Sequence, residues 1–260
     1  MRVSDASAVL NRPEEYRRMA QVETCLWWYR ALHHLVAGAL AKHGRGQDAR
    51  IVDAGCGTGG LLMFLQARGY RNISGFDISP EAVAICGQRG LPVQSGDLLH
   101  LDQVVEPGIA DVISSNDTLY FFTAAGRERI LRLCCRALTP KGLLILNLPA
   151  LRAFRGVHDL SVGIGHRFSG PEVRAMIAAC GLSIVQMRYW PFFLSPIIYV
   201  NRLTQRVRLR YIRDLQVRSD IDHLPVPLSR LLEIATRMEN AILPWKPFGS
   251  SLFVVAQKKM

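Results

Sequence analysis

The run Asp53-Ala54-Gly55-Cys56-Gly57-Thr58-Gly59-Gly60 carries the strongest chemical signal in this chain. It follows Arg50-Ile51-Val52, which reads as a buried strand, and precedes Leu61-Leu62-Met63-Phe64-Leu65, which reads as the start of a helix. Strand, glycine turn and helix together bring backbone against a nucleotide-like ligand. Gly55, Gly57 and Gly59 lack the Cβ that would hold such a ligand off. An acid opening the turn suits a ligand with a positively charged amino-acid end better than a pyrophosphate.

Gly55, Gly57 and Gly60 also satisfy G-x-G-x-x-G, and Asp77 stands where an acid that holds a ribose is expected. On the glycines alone the ligand is NAD or S-adenosylmethionine. Asp53, the alternate spacing D-x-G-x-G-x-G and a further acid in Gly96-Asp97-Leu98 decide between them. Together these residues closely resemble the signature of class I S-adenosylmethionine-dependent methyltransferases, in recognisable order from about Ile51 to Pro149. The resemblance implies a methyl transfer from S-adenosylmethionine to an oxygen, nitrogen or carbon nucleophile of a small-molecule or lipid-like acceptor. An NAD-dependent oxidoreductase and a non-catalytic partner protein of the same fold are the rivals.

Asp77 ends a strand, where a carboxylate can accept both ribose hydroxyls; it is equally placed to favour the next helix through its dipole. The resemblance implies that Asp97 accepts from the adenine amino group, that the Leu98 amide supports the ring, and that Ile78 packs on its face. It also puts Asn116, after the fourth strand, near the methionine end and the acceptor, with Asp117 and Tyr120 in the same segment. Trp27-Trp28-Tyr29-Arg30 corresponds to an aromatic helix that closes over the cofactor, with an aromatic face for the sulfonium and Arg30 for the carboxylate. The plainer reading of that helix is a face packed on the core. His158 and His166, in the loop after the fifth strand, are the candidate general bases. No His, Cys or carboxylate spacing supports a metal site.

These residues need a scaffold, and the chain alternates accordingly. Strands at 51–54, 73–77, 91–95, 110–115 and 143–148 are separated by helices, one capped by Ser79 with Pro80 as its first residue. Ser169 and Glu172 form a capping box before another helix. Strands follow at about 182–189 and 251–257, the last expected to insert antiparallel. The expectation is an α/β fold, a doubly wound, mostly parallel seven-stranded Rossmann-like sheet with N-terminal helices and a helical insertion before the last strand. Residues 1–49 read as a helical cap, 50–190 with 250–260 as the cofactor-binding core, and 191–249 as a helical lid or substrate lobe.

The 260 residues carry 32 Lys and Arg against 21 Asp and Glu, a formal charge of +11, which favours acidic partners. The segment 190–218 interleaves Arg202, Arg206, Arg208, Arg210, Arg213 and Arg218 with apolar residues behind Trp190, Phe192 and Phe193. It reads as a peripheral contact with an anionic membrane, or as a lobe covering the fold or a second subunit. The segment after the fourth strand lacks an N-P-P-Y-type sequence, so DNA is not expected; the charge keeps RNA as a candidate, and the sequence leaves the oligomeric state open. Six cysteines without a C-x-x-C pair, and no secretory pattern, point to a reducing, cytoplasmic setting. The longest apolar stretch, Tyr189–Val200, is broken by prolines and too short to span a bilayer.

Overall fold

The computed structural model describes residues 13–157, 159, 163–211, 224–243 and 245–259. Helices α1 (Pro13–Val22) and α2 (Trp27–Lys42) lead into β1 (Ile51–Ala54), α3 (Gly60–Gln66), β2 (Ile73–Asp77), α4 (Pro80–Gln88) and β3 (Val93–Ser95). A 3-10 turn at Leu98–Gln103 precedes β4 (Ala110–Asn116), α5 (Ala124–Ala137) and β5 (Leu138–Pro149). Then come α6 (Gly170–Ala179), β6 (Leu182–Trp190), α7 (Ser195–Tyr211), α8 (Val226–Ile242) and β7 (Ser251–Lys258).

The seven strands run in the order β3-β2-β1-β4-β5-β7-β6. Pairing is parallel from β3 through β5 and antiparallel where β7 inserts between β5 and β6, as the alternation and the late apolar strand predict. The chain winds outward from β1 to β3, then returns to place β4 on the other side of β1. That reversal opens a crevice at the carboxyl ends of β1 and β4, where the glycine run leaves the sheet.

Strand alternation divides the core between two faces. Val52, Ile113, Leu144 and Val254 point to a layer made with α5 and α6, through Ile130, Leu131, Val173 and Ile177. Ile51, Val112, Leu143 and Phe253 point to the other, made with α2 and α3 through Leu32, Val36, Leu40, Leu61 and Leu65. Helix α2 is therefore one of the layers that bury the sheet.

The local signals act as their chemistry dictates. Ser79 accepts from the Ala82 N–H at 3.4 Å with Pro80 in the first turn, and Ser169 and Glu172 close a complete capping box. Sequence places a turn at Thr139–Gly142, whereas β5 is continuous from Leu138; its pairing with β4 shifts register between Ala110 and Val112, and Lys141 takes a positive φ of 61°. All six cysteines are free. No described helix is long and apolar enough to cross a membrane.

Candidate functional site

The glycine loop needs its glycines chiefly for its own backbone and neighbours. Gly55, Gly57 and Gly59 have φ of 75°, 54° and 84°, a region in which side chains are strained. A Cβ on Gly55 would lie 2.6 Å from Thr118 Cγ2, and one on Gly57 3.1 Å from Met19 Sδ. On Gly59 it would run into Leu91, and on Gly60 into the Glu23 carboxylate. Close packing by the protein itself, more than room for a ligand, fixes Gly59 and Gly60.

Glu23, in the turn between α1 and α2, sits over this loop. Its carboxylate is 3% exposed and accepts from Thr58 Oγ1 at 2.7 Å and from the Gly60 N–H at 3.1 Å, with Arg89 as ion-pair partner. The N-terminus of α3 is thus filled by an anion of the chain itself. A dinucleotide pyrophosphate needs that place, so the arrangement disfavours the NAD rival.

Asp77 is buried at the end of β2. Its two oxygens accept from the Gly57 and Ser79 N–H groups, each at 2.9 Å. Tyr16 of α1 also bonds to Asp77, and burial raises the tyrosine's pKa. Burial likewise raises the Asp77 pKa against the lowering effect of its hydrogen bonds. Ile78 follows it, half-buried. Asp97 caps the 3-10 turn, accepting from the Leu99 N–H at 2.9 Å with His100 Nδ1 3.4 Å away, and Leu98 is in the core. Tyr16 had no sequence signal beyond its place in a helix.

On the other side of β1 the carboxyls change character. Asp53 lies opposite Ser114 of β4 and is 3% exposed. Burial lifts its pKa to about 7, with the Ser114 bond opposing that rise and the Asp77 and Glu23 charges adding to it. Asn116 donates to Ser114 Oγ at 2.8 Å, while its own Oδ1 is buried without a partner. A buried carboxyl and an orphaned carbonyl oxygen in one chain of hydrogen bonds form an acceptor pair suited to an ammonium group.

Asp117, next along, has a positive φ of 53°. Asn147 Nδ2 donates to its carboxylate at 2.8 Å, and Trp190 Nε1 fixes Asn147 by donating to Oδ1 at 2.9 Å. Burial raises the Asp117 pKa to about 7, against Asn147 and Arg167. Trp28 stacks on Trp190 with centroids 5.6 Å apart and meets Tyr29 edge-on at 5.2 Å. Tyr16, Tyr29 and Tyr120 stand within electrostatic reach of one another or of Asp117.

The remaining candidates are placed elsewhere. Arg30 Nε donates to Glu233 of α8 at 2.5 Å and its Nη1 to the Thr24 carbonyl, so it ties α2 to α8. His166 Nε2 is 2.7 Å from Glu172 Oε1 and its ring meets Phe168 edge-on. His158 lies outside the described residues, as do Arg213 and Arg218 of the basic run. Among the described residues no group of His, Cys, Asp and Glu could hold a metal. A cavity of about 580 Å³ beside Arg45, Gln47, Arg68 and Tyr70 lies at the opposite, amino edge of the sheet, away from these acids.

Residues 51–142 match the family described as "Methyltransferase domain". Over these residues the chain carries a methyltransferase domain. The anion-filled helix start, the Asp77 carboxylate and the acceptor pair at Asp53 and Asn116 are consistent with S-adenosylmethionine as the cofactor of such a domain. None of the curated proteins matches this chain. Among solved structures, it is similar to a chain in the complex between the Haloferax volcanii Trm112 methyltransferase activator and the putative methyltransferase (19% identity, 97% of this chain, 98% of that one, TM-score 0.63). It is also similar to a possible histamine N-methyltransferase from Thermotoga maritima (17%, 97% and 99%, TM-score 0.57). A third is a putative sarcosine dimethylglycine methyltransferase from Galdieria sulphuraria (16%, 88% and 85%, TM-score 0.57). At these identities the likeness is one of fold.

Proposed function

We propose that this methyltransferase moves the methyl group of S-adenosylmethionine to a nucleophile on a small-molecule or lipid-like acceptor bound beside Asp117. Asp53 and Asn116 Oδ1 take the ammonium of the cofactor, Asp77 its ribose hydroxyls, and Asp97 with the Leu98 amide its base, over Ile78. Gly55, Gly57 and Gly59 let the loop lie under it. Tyr29 and Trp28 close the methionine side. Arg30 contributes by holding α2 in place, since its guanidinium is bonded to Glu233.

The sulfonium supplies an electrophilic methyl; the protein aligns the attacking atom and excludes water, which can contribute about 7–11 kcal/mol in favourable cases. Where the nucleophile carries a proton, Asp117 is the proposed acceptor in place of His158 and His166. A carboxyl with a pKa of about 7, oriented by Asn147 and Trp190, is poised for proton transfer near neutrality. His166 already shares its Nε2 with Glu172, the carboxylate that closes the capping box.

The observation that carries this reading is the buried acceptor pair of Asp53 and Asn116 at the sheet's crevice. The test incubates the enzyme with S-[methyl-³H]adenosylmethionine and cell extract, then separates organic-soluble metabolites, aqueous metabolites, protein and RNA. Label is expected in the metabolite fractions and is expected to fall at least about a hundredfold with Asp117→Asn, whose amide tolerates the positive φ. Label in protein or RNA would overturn the acceptor class.

A further inference from the structure

Helix α8 is inside out. Its buried residues are Ser229, Glu233, Thr236 and Glu239, one polar stripe at helical spacing, each 3% exposed or less. Its apolar residues face solvent: Val226, Leu228, Leu231, Ile234, Met238 and Ile242 are 42–66% exposed. The polar stripe is bonded to the rest of the fold. Ser229 Oγ accepts from the Trp27 N–H and donates to the Cys25 carbonyl, both at 2.8 Å, and Glu233 holds Arg30. Glu239 accepts from the Phe192 and Phe193 N–H groups at 2.7 and 2.6 Å and pairs with the buried Lys246 at 2.7 Å. The helix cannot roll its apolar face inward without breaking these bonds.

Other large apolar side chains nearby in the sequence are exposed as well. Trp245, just past the helix, is 77% exposed, and Ile197, Val200 and Leu203 of α7 are 45–69% exposed at helical spacing. On α8 the outward charge is of one sign. Both of its acids point inward onto cations, whereas Arg230 and Arg237 are exposed beside the stripe, Arg237 lying 3.6 Å from Glu233. The sequence of α7 holds four arginines and no acid, of which Arg202 is buried and Arg206 half-buried. Exposed apolar side chains, an interfacial tryptophan and the exposed Arg230 and Arg237 match the boundary of an anionic bilayer. A second copy of the chain would set like charges against each other on a protein already at +11.

We propose that the outer face of α8, with Trp245 and the exposed stripe of α7, docks this protein on an anionic lipid bilayer. The proposal stands apart from the choice of acceptor and rests on the surface alone. It is tested by flotation of the full chain with phosphatidylcholine vesicles, with and without phosphatidylglycerol. Wild type is expected to float with the anionic vesicles, at least about tenfold more than with the neutral ones. The pair Leu231→Glu with Met238→Glu is expected to lose at least about tenfold of that binding. Both positions are exposed, so its melting temperature and its affinity for S-adenosylhomocysteine are expected to stay at wild-type values. Wild type remaining unbound with anionic vesicles, or binding equally by the variant, would overturn the proposal. So would a wild-type dimer in sedimentation velocity that the variant converts to monomer, which would assign the face to a second copy.

Discussion

With Asp53 as the proposed partner of the cofactor's ammonium, cofactor binding is expected to be a proton-coupled event. Its carboxyl is buried, with a pKa lifted to about 7, so near neutrality it is divided between its two forms. The ammonium of the cofactor favours the ionised form. Below pH 7 binding must therefore release a proton, and affinity is expected to rise about tenfold per pH unit, then level off above it. At pH 5 about one Asp53 in a hundred is ionised and at pH 8 about nine in ten, so the affinity for S-adenosylhomocysteine is expected to differ just under a hundredfold. The folded-state pKa is the raised one, so the free protein follows the opposite trend. Its folded state holds a proton that its unfolded state has lost, and stability falls by about 1.4 kcal/mol per pH unit between pH 5 and 7. Asp117, also at about 7, adds a similar fall in stability but no contact with the ammonium. Titration calorimetry of wild type and Asp53→Asn from pH 5 to 8, in two buffers of different ionisation enthalpy, separates the two carboxyls. The variant is expected to bind weakly with a flat profile. A flat wild-type profile with no buffer-dependent heat would refute the assignment of Asp53 to the ammonium.

Asp77→Asn should damage binding and fold together, because one oxygen serves Gly57 and the other Ser79. Losing two charge-assisted sugar bonds is expected to weaken cofactor binding by about 3–6 kcal/mol, and one orphaned N–H to cost about 1–3 kcal/mol of stability. Calorimetry and thermal melts read the two separately, and an affinity within threefold of wild type would count against Asp77 as the ribose acid. Ser229→Ala removes a side-chain cap of α2, whose own preceding residue Leu26 supplies none. A loss of about 1–2 kcal/mol is expected, with faster hydrogen exchange confined to the first turn of α2; unchanged exchange there would refute the cap.

The sheet was legible because its signals are local. Each strand is a short apolar run, each helix start carries its own cap, and Asp53, Asp77 and Asp97 stand at strand ends, where chain order alone determines the edge they reach. What was not legible depends on partners far along the chain. Glu23 lies 37 residues from the Gly60 N–H it accepts from, and nothing near it in the sequence marks it for that role. Tyr16 is likewise assigned only by the Asp77 carboxyl it meets. Arg30 reads as a cofactor ligand until Glu233, 203 residues away, is seen to hold it. Helix α8 shows the limit most sharply. Its sequence has an ordinary amphipathic period, and periodicity reports that two faces exist, not which of them is turned inward. Only the caps and ion pairs on Ser229, Glu233 and Glu239 settle the direction.

The same bonds explain how a protein of +11 keeps a site for a cation. Its acids are concentrated at the crevice: Glu23, Asp53, Asp77, Asp97 and Asp117 all lie at or over the carboxyl ends of the first four strands. Burial keeps two of them partly protonated until a cation arrives, so the uncompensated charge is not carried by the free protein. Arg230 and Arg237 of α8 are meanwhile turned outward, where water screens them. Salt therefore distinguishes the two regions. Interactions in the buried crevice are shielded from mobile ions and should change little in strong salt, whereas an exposed cationic rim should lose its hold on an anionic surface. A vesicle interaction that persists in high salt would mean that the apolar stripe alone carries it, and the arginine rim would then have no part in docking.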